Sequence, residues 1–414
     1  MAGAPPTLSP SGRNAVVVRP ARESDLERVL EIHVAAFPDP RPIEARRRVF
    51  LHNRLGEFKH LRVAERAGEL LAHAFTFPIT AWFGGREVRG SAIASVGVAP
   101  EARGQGLASD LFASMHAEAE AGGGVFTLLY PFRQAFYARL GYAPVSRYRV
   151  LTASPRAIPA TWKEASPGII RCLRAGDRAE LDRVYRDAAR HRTGALDRPE
   201  RAWELDLLDE RRQWLVLDQD GAVAGYATFH LQQTEPHARV RAEVYELVAS
   251  EDGARRRLFA ALGGLGDQVG DLVVALAEDD PMDWGFIDGD RDRGGTADVE
   301  HPLGVFCAGP MIRLLDSQAA LRARGYAGDG TMSVTIDDQP PFTLDVRGGA
   351  AHTSPAHAQA SLHTSATVLA SVAFGGMRLE DAARMGWVRA TDLAALRAAS
   401  RLLRLPAFFS VDGF

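Results

Sequence analysis

Ser95-Val96-Gly97-Val98-Ala99-Pro100-Glu101-Ala102-Arg103-Gly104-Gln105-Gly106-Leu107-Ala108 is the stretch whose reading decides the fold. A strand ends in a glycine-bearing loop, and the loop opens a helix over about 106–121 with Leu107, Leu111, Phe112 and Met115 on one side. N–H groups at a helix N-terminus lack intrahelical partners, and with the helix dipole they favour a phosphate. Gly104 and Gly106 let the backbone approach such an anion. A Gly-x-Gly turn is equally what a tight strand–helix connection needs, so the loop alone does not decide. Working outward, Ala15–Val18, Leu61–Glu65, Leu70–Phe77 and Ser91–Val98 read as strands, with turns at Ala67-Gly68 and Gly84-Gly85. Asp25–Ala36 has helical apolar spacing, with Ser24 as expected N-cap and Glu27 at the capping-box position. Gly122-Gly123-Gly124 ends the central helix, and Val125–Leu129 follows as a buried strand. The pattern is α/β.

Farther along, the opening recurs. Ile169-Ile170-Arg171-Cys172-Leu173-Arg174-Ala175-Gly176-Asp177 echoes Val17-Val18-Arg19-Pro20-Ala21-Arg22-Glu23-Ser24-Asp25. Each is a strand, two arginines three apart, an aspartate and then a helix, which predicts two related α/β domains in tandem. A Pro- and Ser-rich stretch at about Ser154–Gly168 reads as the linker between them. After the polar stretch Asp288–Asp298 the pattern changes. Strands are expected at Met311–Leu315, Thr331–Ile336 and Phe342–Val346, and helices at about Ser361–Ala373 and Thr391–Leu403. The apolar end, Phe408 to Phe414, predicts a docked C-terminus. The expected division is a disordered tail over 1–14, then domains over 15–153, 168–288 and 299–414.

Composition narrows the function. The chain has 414 residues, 49 basic against 52 acidic, for a net charge of −3. No basic excess exists for nucleic acid. Cys172 and Cys307 are too few and too far apart for a disulfide framework, which fits a reducing cytoplasm. Neither a membrane span nor a secretory leader is legible, so no membrane partner is expected.

A second motif stands about 30 residues beyond the loop: Ala135-Phe136-Tyr137-Ala138-Arg139-Leu140-Gly141-Tyr142. The Arg103–Ala108 run resembles the R/Q-x-x-G-x-G/A pyrophosphate loop of the GCN5-related N-acetyltransferase (GNAT) superfamily. Val96-Gly97-Val98-Ala99-Pro100 resembles that family's fourth strand, and the Phe136–Tyr142 run its F-Y-x-x-x-G-F/Y segment. Two such blocks followed by a sterol-carrier-protein-like block resemble the enhanced intracellular survival (Eis) family over nearly the whole chain. The implied fold class is α/β (α+β): tandem GNAT-like domains, then a sterol-carrier-protein-like domain.

That resemblance implies an acetyl-CoA-dependent N-acetyltransferase of primary amines, whether aminoglycoside, polyamine or lysine-type. It places acetyl-CoA on Val96, Gly97, Val98, Arg103, Gly104, Gln105, Gly106, Leu107, Ala108 and Ser109, with Phe132 and Arg133 at further contacts. It makes Tyr137 the general acid and the terminal carboxylate of Phe414 the general base. It sets Asp39 against the substrate amine, and it implies a homo-oligomer, a hexamer in the family. Gly413 stands where the family has an acidic residue; Asp412 could supply negative charge instead. The chemistry is coherent in itself. An ammonium of pKa about 10 must lose a proton before attacking a thioester, and a thiolate of pKa about 8.5 leaves more readily beside a donor. In the second block, Glu251-Asp252-Gly253 would repel a pyrophosphate, so that domain is expected to be structural. His352, His357 and His363 have no zinc-ligand spacing, and no metal is expected. The competing reading is a lipid or small-molecule binding protein with a vestigial loop.

Overall fold

The computed structural model describes residues 15–233, 238–286, 303–337, 339–355 and 361–414. The expected tail over 1–14, the Asp288–Asp298 stretch and His357 lie outside the described residues.

Among the described residues three sheets carry the fold. The first block forms β1 (Val16–Pro20), α1 (Leu26–Ala36), α2 (Ile43–Leu51), β2 (Leu61–Arg66), β3 (Glu69–Phe83), β4 (Arg86–Val98), α3 (Leu107–Ala121), β5 (Phe126–Leu129), α4 (Gln134–Ala138) and β6 (Ala143–Pro144). The second forms β7 (Arg147–Ala153), β8 (Ile169–Cys172), α5 (Arg178–Ala189), α6 (Glu200–Leu208), β9 (Gln213–Gln219), β10 (Ala222–Gln232), β11 (Val240–Ala249), α7 (Asp252–Gly263) and β12 (Val269–Ala277). Next come β13 (Gly304–Ala308) and β14 (Met311–Leu314). The third block is α8 (Ser317–Ala323), β15 (Gly330–Ile336), β16 (Phe342–Arg347), β17 (Ala350–Pro355), β18 (Leu362–Thr364), α9 (Ala366–Ala373), α10 (Leu379–Arg384), β19 (Val388–Ala390) and α11 (Leu393–Leu403).

Strand order is β1-β2-β3-β4-β5-β14-β6 in the first sheet, β13-β7-β12-β11-β10-β9-β8 in the second and β17-β16-β15-β18-β19 in the third. The first two sheets exchange strands. β7, expected in the first domain, pairs antiparallel with β12 of the second sheet. β14, expected in the third block, returns to the first sheet between β5 and β6. Cutting at 153 or 299 therefore severs sheets. The reason is edge satisfaction: β5 and β12 each need an antiparallel neighbour for their outer backbone groups. The neighbour of β5 comes from beyond the second domain.

The internal repeat is structural. Arg19 donates to Asp25 (2.7 Å) and Glu65 (2.8 Å), and the Arg22 N–H caps onto Asp25 (2.7 Å). In the second domain Arg171 donates to Asp177 (2.7 Å) and Asp218 (2.8 Å), and the Arg174 N–H to Asp177 (2.7 Å). The expected Ser24 cap is thus replaced by Asp25, which closes a short 3₁₀ turn over Glu23–Asp25 before α1 begins. The stretch read as a linker forms two packed turns, with Ala157 and Ile158 in the second core. The helix expected from Ser361 begins only at Ala366. Leu362–Thr364 pairs in parallel with β15, and the Ser365 hydroxyl then caps the Val368 N–H.

First and third domains share one core. Phe374 of the third meets Phe83 of the first edge-on at 4.7 Å between centroids. Beside them the backbones of Gly84 and Gly325 touch, and a Cβ on either would collide with the other's carbonyl. Arg324, wholly buried, donates to the last carbonyls of α9 and α11 at Ala373 and Leu403, where helix C-termini carry negative partial charge.

Two expectations follow from this architecture. A fragment of residues 15–153 leaves β5 without β14 and β7 without β12, so it should aggregate or stay unfolded by circular dichroism and gel filtration. Burial lowers the imidazole pKa to about 4 in His33, about 3 in His73 and about 4 in His116. The native state therefore refuses protons that the unfolded chain accepts below about 6.5. Melting temperature should fall as pH drops from about 6.5 towards 4; a flat profile over that window would contradict it.

Candidate active site

The site begins at a fault in β4. Between β3 and β4 the register jumps from Phe75↔Ala94 to His73↔Gly97, and Ser95 adopts φ +51°. This β-bulge turns the end of β4 away from β5. The two strands pair in parallel only over Gly90–Ala92 and Phe126–Leu128, then diverge. Past Ala92 and Leu128 no ladder joins them, and this parting of the strand ends is the cleft. Gly97 lies directly against the buried His73 ring, so nothing larger fits there. The Ala99 N–H donates to Leu71 of β3 (2.8 Å). By strand alternation the Val98 N–H faces the other way, into the cleft.

At the mouth of the cleft lies the loop. Gly104 (φ +78°) and Gly106 (φ +83°) hold left-handed conformations that side chains resist, and nothing crowds either Cα. The first α3 N–H with a helical partner is that of Asp110, to the Gly106 carbonyl (3.1 Å). The N–H groups of Leu107, Ala108 and Ser109 stand ahead of it. The side chains sort differently. Leu107 is buried and braces the turn, while Ser109 is exposed. Arg103 donates to the Ala35 carbonyl (3.0 Å), which ties the loop to α1. Gln105 is held between Arg66 (2.5 Å) and the Glu101 carbonyl (2.9 Å). The turn is a preformed cradle of backbone N–H groups beside arginines, and it fits a pyrophosphate.

Tyr137, on α4, is 3% exposed. Its ring packs edge-on against Phe112, Phe132 and Phe136. Burial pushes its hydroxyl up to about 12. Among the described residues that hydroxyl has no hydrogen-bond partner. Phe132, 70% exposed, and Arg133, exposed, flank it on the loop after β5.

The C-terminus is docked. Phe408 is fully buried, with its N–H on the Gly375 carbonyl (2.8 Å) and its carbonyl accepting from Ser146 (2.9 Å). Phe414 lays its ring against Tyr130, the residue after β5, at 5.1 Å between centroids. The last residue therefore sits beside the diverging end of β5. Sequence reasoning singled out Tyr137 and Phe414 but missed Tyr130, for which no motif gives a signal.

Asp39 lies in the turn between α1 and α2. Its carboxylate takes Arg41 (2.9 Å) and the buried Arg46 (2.8 Å), and these hold it well below the usual carboxylate range. A substrate ammonium would have to displace a guanidinium. Asp412 is 2% exposed and paired with Arg198, so it adds no free charge to the site.

The second domain lacks an open cradle. Gly253 lies in the first turn of α7 without a left-handed conformation, its Cα close to the Ala165 carbonyl, and Glu251 and Asp252 stand at the same helix start. Among the described residues no group of His, Cys, Asp and Glu could hold a metal, and no helix is long and apolar enough to cross a membrane.

Known proteins share this order of domains. Residues 17–145 match an acetyltransferase (GNAT) domain family, residues 194–302 a second acetyltransferase (GNAT) domain family, and residues 317–408 a sterol carrier protein domain. No curated protein matches the chain. Among solved structures, a GCN5-related N-acetyltransferase from Anabaena variabilis is similar at TM-score 0.82 and 19% identity, covering 97% of this chain and 100% of that one. One from Kribbella flavida is similar at 0.79 and 22%, covering 97% and 99%. Eis1 from Mycobacterium abscessus is similar at 0.77 and 22%, covering 96% and 100%. All three share the fold over their whole length.

Replacing Gly106 by valine should weaken acetyl-CoA binding at least tenfold by calorimetry, since φ +83° is closed to a β-branched residue. The strain at the N-cap of α3 should also lower melting by a few degrees without unfolding the chain. Unaltered affinity in a folded variant would remove the loop from the site.

Proposed function

We propose, for a chain that is an acetyltransferase of the GNAT superfamily with an Eis-like order of domains, that it moves an acetyl group from acetyl-CoA directly to a primary amine in the cleft of the first domain. The observation that carries this reading is the open cradle at Gly104–Gly106 joined to the cleft between β4 and β5. The N–H groups of residues 107–109 would hold the pyrophosphate, and Arg103 and Arg133 would add positive charge. Acetyl-CoA supplies the activated acyl group as a thioester.

The Val98 N–H faces the cleft and can donate to the acetyl oxygen as negative charge develops there. The terminal carboxylate of Phe414 attracts the substrate ammonium and takes its proton, directly or through water. The freed amine attacks the acetyl carbon as the carbon–sulphur bond breaks. The Tyr137 hydroxyl, protonated at all physiological pH, donates to the departing sulphur. Cys172 and Cys307 lie on β8 and β13 of the second sheet, outside the cleft, so no cysteine serves as a covalent carrier.

The amine would be an aminoglycoside, polyamine or lysine side chain; Asp39, already paired, is left out of its contacts. The chain would bind one acetyl-CoA, because Glu251 and Asp252 at the start of α7 repel a second pyrophosphate. Exposed apolar side chains at Trp284, Phe306 and Met385 support the homo-oligomer reading, which a solution mass would settle. The carrier alternative has one observation behind it. A cavity of about 670 Å³ between the first sheet and the third domain is walled by Pro144, Val368, Met377 and Trp387. An apolar ligand retained through purification, together with no acetyl-CoA binding, would favour it.

Thiol release from acetyl-CoA with an amine panel tests the main reading. Tyr137→Phe should lower kcat at least tenfold with little change in melting. Residues appended after Phe414 should lower kcat by roughly a hundredfold while one acetyl-CoA per chain still binds. Full turnover in the extended protein would exclude the terminal carboxylate.

A further inference from the structure

The second domain repeats the cleft of the first. Its β10–β11 register jumps from Thr228↔Glu246 to Phe229↔Val244, leaving a bulge at Tyr245. Its parallel pair, β11 and β12, stops at Val244↔Val274 and then diverges. In the first domain the corresponding cleft is the proposed seat of acetyl-CoA. In the second the C-terminal tail lies along it, leaving about 260 Å³ open between tail and strands. Pro406, Ala407, Phe409 and Val411 of the C-terminal tail line it, facing Glu246 and Leu276.

The tail is fastened there by polar contacts. The Ala407 N–H donates to Asp279 (2.8 Å), and the Phe409 N–H to the Thr193 carbonyl (2.9 Å). Asp412, buried, accepts from Arg198 (2.8 Å) and from the Tyr185 hydroxyl (3.0 Å). Arg198 is itself fixed by a two-pronged bond to Glu246 (2.8 and 2.7 Å) and lies over the Tyr185 ring at 4.0 Å. Glu246 stands directly after the bulge, inside the cleft. Two residues past Asp412 is the carboxylate assigned to proton transfer. Two extended residues reach at most about 7 Å, so fixing Asp412 confines that carboxylate.

We propose that the cofactor cleft of the second GNAT domain has become the seat of the chain's own C-terminal tail, with Arg198 a positioning residue that acts through Asp412 on the Phe414 carboxylate. The role of the degenerate domain is then to register the base of the other domain. This rests on the reading of Phe414 given above.

The test uses the full chain and three forms of it: Asp412→Asn, the protein extended after Phe414, and both together. The asparagine keeps the shape, and Arg198 keeps Glu246, so the variant should fold. Its kcat should fall tenfold to a hundredfold, the cost of a misplaced reacting group, while the acetyl-CoA Kd stays the same. The pH–rate profile of Asp412→Asn should take the form seen in the extended protein, and the double variant should be no slower than the extended protein alone. If Asp412→Asn fails to fold, Tyr185→Phe, which removes one bond to Asp412, should show a smaller loss of the same kind. An extension that slows turnover beside a folded Asp412→Asn with kcat within twofold of the parent would overturn the positioning role and leave the base reading intact. Multiplying effects in the double variant would overturn it too. An extension without effect would defeat both readings.

Discussion

A buried guanidinium between two carboxylates joins the second domain to the C-terminal tail. Arg198 is 3% exposed. Burial alone would pull its charge down, but Asp412 and Glu246 outweigh that and raise its pKa well above the ordinary value. Burial would likewise push Glu246 up, yet Arg198 keeps it ionised. A buried charge is tolerable only when it is paired and hydrogen-bonded. Each member thus lowers the cost of burying the others. The arginine comes from the segment before α6, Glu246 from β11 and Asp412 from the tail, so three remote pieces must meet. The preceding residues are fixed in turn: the Asp197 N–H and the Gly194 N–H bond to Thr80 and Trp82 of β3, each at 2.8 Å. The first domain therefore positions the residue that positions the tail.

Around that cluster the domains are interlocked. β14 crosses back into the first sheet, β7 crosses into the second, and the first and third domains share one aromatic core at Phe83 and Phe374. Phe408 touches all three, pairing with Thr193, bonding to Gly375 and accepting from Ser146. A C-terminus that performed chemistry would need such support, because a free tail end has far too much conformational freedom to hold a reacting group in place.

Much of this was legible in the sequence where the cause is local. The Gly104–Gly106 cradle, the duplication built on Arg19–Asp25 and Arg171–Asp177, and the docked apolar end each leave a mark within a few residues. What could not be read depends on partners far away in sequence. The Arg198–Asp412 bond spans 214 residues, and no periodicity announces it. The exchange of β7 and β14 satisfies strand edges whose neighbours are known only once the chain has folded. Asp39 is set against the amine by the resemblance alone, and nothing local in the turn Phe37-Pro38-Asp39-Pro40 shows that Arg46, one helix on, reaches back to it. The helix expected from Ser361 starts only at Ala366, because a three-residue strand resembles helix when its partner, β15, is unknown.

A crystal structure of the full chain with CoA bound tests the central claim most directly. The account predicts a single CoA in the first domain, with its pyrophosphate on the N–H groups after Gly106. Asp412 should remain on Arg198, and the terminal carboxylate should face the thiol across the cleft between β4 and β5. CoA lying in the second domain's cleft, or a Phe414 carboxylate turned to solvent away from the sulphur, would contradict it.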